Sequence, residues 1–166
     1  MDPIRLSHEL REAHTPDLDR RRWIIGLSLV GTVMAQAVTL YQTGIVRRLP
    51  DPPLPRIDSN RVNASAYAYK RLQTPDALMM LVSYGVTAGL AAAGGQNRAS
   101  DRPLLPLAMG LKVVVDTATA LELGREEWQE NKALCAYCQT ATLVSLVSVA
   151  LALPETRRAV RTLLRR

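Results

Sequence analysis

The chain contains no phenylalanine, only two cysteines, and three lysines against eighteen arginines in 166 residues. Two cysteines cannot staple a small fold, which excludes a disulfide-framed miniprotein. Aromatic residues make up 4% of the chain, and no aromatic–basic platform or finger motif accompanies the net charge of +6. A nucleic-acid reader is therefore not indicated. Nine glycines and ten prolines exclude a collagen-like repeat, and 48% hydrophobic residues exclude wholesale disorder. The length suits one domain. The surplus of arginine over lysine points to a prokaryotic proteome.

Charge is also scarce locally. The mean hydropathy of -0.00 is that of a neutral globule, yet Trp23 to Val46, Ala77 to Asn97 and Ala133 to Pro154 carry no Asp, Glu, Lys or Arg. Each gap reaches the ~20 helical residues that cross a hydrocarbon core. A fourth stretch, Pro103 to Leu123, is apolar except for Lys112, Asp116 and Glu122. The pattern predicts an all-α polytopic membrane protein, a bundle of four transmembrane helices over 22–46, 76–95, 103–123 and 134–153. A soluble bundle would need a polar face on each helix, and 27–35 offers only small hydroxyls and glycine. Gly26, Gly31 and Ala35 read instead as a small-residue stripe for close helix approach.

With four spans, residues 1–20 form an N-terminal arm, 21–156 the membrane domain and 157–166 a basic tail. Twelve basic residues fall on the side of the termini and eight on the other, so the positive-inside rule puts both termini in the cytoplasm of a prokaryotic inner membrane. No signal peptide is evident, and the arm reads as a loose amphipathic turn. The connection from Arg47 to Pro75 opens with four prolines and is an extended, extracytoplasmic segment between the first two helices. Arg61 to Leu72 has the spacing of a short helix lying on the membrane surface. A connection of this length is a candidate functional cap.

Both cysteines sit in one C-x-x-C unit, Cys135-Ala-Tyr-Cys138, at the start of the last helix. That spacing suits a thiolate that attacks and a neighbour that resolves, and a helix N-terminus lowers a thiol pKa. Two buried small hydrophobes are the plain alternative. Zinc is not expected, because His8 and His14 lie on the other side of the membrane. Covalent haem is not expected either, because Gln139 rather than His follows the second cysteine. Lys112 and Asp116, four residues apart in mid-span, are expected to pair with each other inside the bundle, or to meet the charge of a partner subunit. Thr74-Pro75-Asp76 reads as a helix start with Thr74 as N-cap.

In these features the chain resembles the vitamin K epoxide reductase family over about residues 20–156. Members are four-helix membrane bundles with C-x-x-C opening the fourth helix and a long extracytoplasmic loop after the first. Ser59-Asn-Arg-Val-Asn-Ala-Ser65 is similar to the family's loop segment, in which a cysteine is followed six residues later by a serine. The resemblance implies that Cys138 reduces a quinone while Cys135 resolves it as a disulfide. It further implies that Ser65 and Asp76 hold or protonate a quinone oxygen, and that Thr142 lines the substrate where the family carries a tyrosine. The family's loop cysteine pair is missing, and Ser59 stands at one of its positions. A thioredoxin-like protein would then recharge Cys135 directly. The competing expectation is a non-catalytic subunit or scaffold of a larger membrane complex.

Overall fold

A side-chain cap and a proline start the first long helix. Thr15 Oγ1 accepts a hydrogen bond from the Leu18 amide at 3.3 Å, and Pro16 follows at the first helical position, so α2 runs Pro16–Gln42. Before it, Asp2 caps α1, Pro3–Glu12. The remaining elements of the computed structural model are α3 (Ser59–Asn63), a 3₁₀ turn (Ala66–Tyr69), α4 (Asp76–Ala92), α5 (Arg98–Asp101), α6 (Leu104–Asn131) and α7 (Ala136–Leu164). The structure describes residues 2–165. Met1, and Arg166 at the end of the basic tail, lie outside them. No strand occurs among the described residues beyond a single bridge between Ile57 and Leu134.

Several expectations are corrected. The N-terminal arm is regular helix rather than a loose turn, because Asp2, Pro3 and the Arg5–Glu9 pair supply a cap and an i,i+4 contact. The helices also extend past the uncharged stretches: α2 begins at Pro16, α6 continues to Asn131, and α7 passes through Pro154 to Leu164. Thr74 does not cap α4. Its hydroxyl donates to the Leu72 carbonyl at 3.1 Å, and the helix opens after Pro75. The segment 61–72 holds no continuous helix, only the end of α3 and the 3₁₀ turn.

Helices α2, α6 and α7 are long and apolar enough to cross a membrane, which makes this a multi-pass membrane protein; α4 is apolar with 17 residues. α4 packs mainly on α2, α6 mainly on α7, and α2 on α7. The inner face of α2 is Ile24, Ser28, Gly31, Ala35, Val38 and Gln42, all buried at a spacing of three or four. Trp23, Leu29, Val33, Leu111 and Leu143 face outward and are exposed. Small residues inside and large apolar ones outside invert the soluble pattern, as a lipid-facing bundle requires. Of the expected small-residue stripe, Gly31 lies against the Tyr84 ring and Ala35 is buried, whereas Gly26 faces outward with nothing near it.

Both ends of the bundle are tied. At one, Arg21 donates to the carbonyls of Ala91, Gly94 and Gly95, and Arg98 forms a bidentate pair with Glu155 at 2.8 and 2.9 Å. At the other, the 43–75 connection is pinned over the start of α7. Asp58 N donates to Leu134 O, Leu134 N to Arg56 O, Ala136 N to Ser59 Oγ and the Tyr137 hydroxyl to Pro50 O. These bonds satisfy backbone groups that a helix start and an irregular loop would otherwise leave open.

Candidate functional site

Under the pinned connection lies a cavity of about 330 Å³, bounded by α2, α4, α6, α7 and the connection itself. Cys138, Asp76, Thr142 and Asp116 line it, together with Asn63, Tyr67, Arg71 and Glu127. The C-x-x-C unit stands at its edge because α7 begins there: the Cys135 sulfur is the N-cap and accepts from the Cys138 amide at 3.3 Å. One turn of helix separates the two thiols, and both are free. Cys138 faces the cavity, while Cys135 is 0% exposed behind it.

The environment of Cys135 favours a thiolate. The Cys138 thiol hydrogen-bonds to it, and the Cys138 amide and the Asn63 side-chain amide add donors (the latter at 3.2 Å). Against the opposing effect of burial these contacts pull Cys135 down to about 7. Asn63 is itself held by donating to Ser59 O at 2.8 Å and accepting from Gln42 at 3.3 Å. Burial, and then the Glu127 carboxylate, push the Tyr67 phenol above its ordinary range, so Tyr67 stays a neutral donor, bonded to Leu123 O at 2.7 Å.

The expected site residues divide. Asp76 lines the cavity and accepts from Gln42 Nε2 at 2.7 Å. Thr142 also lines it, with its hydroxyl donating to Cys138 O at 2.9 Å. Ser65 does not: it precedes the 3₁₀ turn and donates to Val62 O at 2.7 Å. Asn63, two residues earlier, occupies the wall and contacts Cys135. Lys112 and Asp116 pair as the spacing requires, but α4 joins them. Ser83 donates to Asp116 at 3.0 Å, and Lys112 donates to the Ser83 hydroxyl at 2.7 Å and to Thr87 at 3.2 Å. Asp116 reaches the cavity wall from this cluster. Glu122 is exposed and pairs with Arg125.

Glu127 was not singled out in the sequence. It is 2% exposed, accepts the Cys135 amide on one carboxylate oxygen and Gln139 on the other at 3.4 Å, and pairs with no cation among the described residues. Its only sequence signal is position, eight residues before Cys135 within an acidic stretch that reads as solvated surface. The thiol pair, three carboxyl groups and a mostly apolar wall form a cavity that can hold a small apolar molecule beside a dithiol.

A family model described as the vitamin K epoxide reductase family matches residues 22–153. Neither a curated protein nor a solved structure matches the chain.

Proposed function

Because the chain belongs to the vitamin K epoxide reductase family, we propose that it is a membrane oxidoreductase coupling the Cys135/Cys138 dithiol to reduction of a quinone. At the family level this means thiol–disulfide and quinone chemistry in a lipid bilayer. The observation that carries the residue assignment is the Cys138 sulfur in the wall of a 330 Å³ cavity with Cys135 directly behind it. In the proposed cycle the Cys135 thiolate takes the proton of the Cys138 thiol bonded to it as the Cys138 sulfur adds to a ring carbon of the quinone. Cys135 then gives that proton to the substrate and attacks the Cys138 sulfur; the S–S bond forms, the C–S bond breaks, and the hydroquinone leaves. The two sulfurs lose two electrons, and the quinone takes these with two protons, one from Cys138 and one from Asp76. Asp76, at the mouth of α4, is the proposed group that hands a proton to a ring oxygen, and Thr142 lines the ring.

A dithiol protein of thioredoxin-like chemistry then reduces the disulfide. Because Cys135 is covered by the pinned connection, that partner has to lift the 49–60 segment to reach it. On this reading the chain crosses a prokaryotic inner membrane four times, with residues 1–20 and 157–166 in the cytoplasm, 21–156 as the membrane domain, and 43–75 outside. The Lys112–Asp116 pair is an internal polar strut. The full burial of Cys135 and the missing loop cysteines favour a second reading, a scaffold subunit that keeps the frame without turnover.

Dithiol-dependent quinone reduction by the purified protein separates the two. Cys135→Ala and Cys138→Ala are each expected to abolish it. Full activity in both variants overturns the enzymatic reading. Stoichiometric co-purification of a partner with an inactive wild type, unchanged by either substitution, establishes the scaffold.

A further inference from the structure

The cavity wall holds three carboxyl groups, Asp76, Asp116 and Glu127, and among its described lining residues one cation, Arg71. Arg71 is fixed on two sides. One guanidinium nitrogen pairs with Glu126 on α6, and the guanidinium carbon lies 5.3 Å from the centre of the Tyr67 ring. Its other terminal nitrogen, Nη1, is buried and has no acceptor among the described residues. Buried donors are almost always paired, and a charged one left open is costly. The backbone after it is shaped to match: Leu72 and Gln73 adopt φ of 53° and 52°, a left-handed pair that side-chain-bearing residues rarely form. The Thr74 amide closes this turn on the Arg71 carbonyl at 3.2 Å and leads straight into α4. Neighbouring donors in the wall are already engaged: Tyr67 with Leu123, Tyr84 with Ala141, Thr142 with Cys138.

We propose that Arg71 binds a ring oxygen of the substrate in this cavity and stabilises the negative charge that forms there when Cys138 adds to the ring. The inference rests on the quinone reading above. Thiolate addition turns a carbonyl oxygen into an enolate oxygen, and in a wall with three carboxyl groups that oxygen needs an opposing cation. A guanidinium keeps its proton at any working pH, so Arg71 holds the charge and the proton comes from elsewhere.

The test compares wild type, Arg71→Gln and Arg71→Lys with duroquinone, whose fully substituted ring cannot permanently arylate the thiol. Four quantities are read: dithiol-dependent kcat/KM, the rate of Cys138 alkylation by iodoacetamide in the absence of quinone, protection from that alkylation by duroquinone, and the unfolding temperature. Arg71→Gln is expected to lower kcat/KM by about tenfold to a hundredfold. The loss falls on kcat more than on KM, Cys138 alkylates as in wild type, and Arg71→Lys recovers part of the rate. Unchanged kcat/KM in Arg71→Gln overturns the proposal. So does a loss matched by altered alkylation and a lower unfolding temperature, which makes Arg71 only a brace for Tyr67 and Glu126. If wild type does not turn over duroquinone, the enzymatic reading fails by itself, and Arg71 is judged on binding: weaker protection in Arg71→Gln supports it, and equal or absent protection overturns it.

Discussion

At the scale of single residues, Cys135 has the most informative surroundings. The first turn of α7 gives its thiol two donors, the amide and the thiol of Cys138. The fold adds Asn63 from the connection, at 3.2 Å. A group whose folded pKa is depressed gains stability as pH rises through that pKa and loses it as pH falls. The reduced protein should therefore become more stable between about 7 and the ordinary thiol value of ~8.5. Thiolate ultraviolet absorbance is expected to titrate with a midpoint near 7 in wild type. Asn63→Ala removes one of the donors and should raise the midpoint by about half a unit to one unit. An unmoved midpoint would mean that Asn63 supports the connection but not the thiolate.

At the scale of the elements, close approach decides the packing. A methyl group at Gly31 would lie 2.5 Å from Cζ of Tyr84, whose hydroxyl is held by Ala141 O at 2.6 Å and Ser145 at 3.1 Å. Tyr84 cannot retreat without giving up both bonds, so Gly31→Ala should cost about 1–3 kcal/mol, read as a lower unfolding temperature in detergent. Gly26→Ala, with open space around it, is the contrasting substitution and should change little. Three helix positions were legible from charge gaps of bilayer length, and the fourth from an apolar stretch interrupted only by Lys112, Asp116 and Glu122. The helix ends were not, because the turns at 16–22, 124–131 and 155–164 emerge from the apolar zone and carry the charges of a loop. Cys138 was legible from its spacing to Cys135. Asn63, Arg71 and Glu127 were not, because only the folded connection and α6 bring them to the cavity, and nothing in their local sequence marks them. Ser65 illustrates the limit of a short loop match: its hydroxyl closes a local turn two residues from the position that faces the thiol.

Taken as a whole, the molecule has a charged base and a covered thiol cavity at opposite ends, and α4 decides how many times the chain passes between them. With 17 residues it is the shortest of the four packed helices, yet its ends are fixed at both levels of α2. At its start, Asp76 bonds Gln42, the last residue of α2. At its end, Gly94 and Gly95 receive Arg21, and the Gln96 amide donates to Glu9 on α1 at 3.3 Å. The stretch of α2 from Arg21 to Gln42 rises ~30 Å, the thickness of a hydrocarbon core, and α4, ~25 Å long, returns across that height together with residues 93–95. On the proposed four-crossing reading both termini stand at the base, where Arg20 and Arg158 both pair with Asp17, and the positive-inside rule would make that side cytoplasmic. Alkaline phosphatase, active only outside the cytoplasm, tests the count and the orientation together. Inserted after Leu54 it should be active, and fused to the C-terminus inactive. Activity at the C-terminus with none at Leu54 would invert the orientation. Equal activity at both sites, or none at either, would mean that an odd number of helices crosses, with α4 held inside the bundle without spanning.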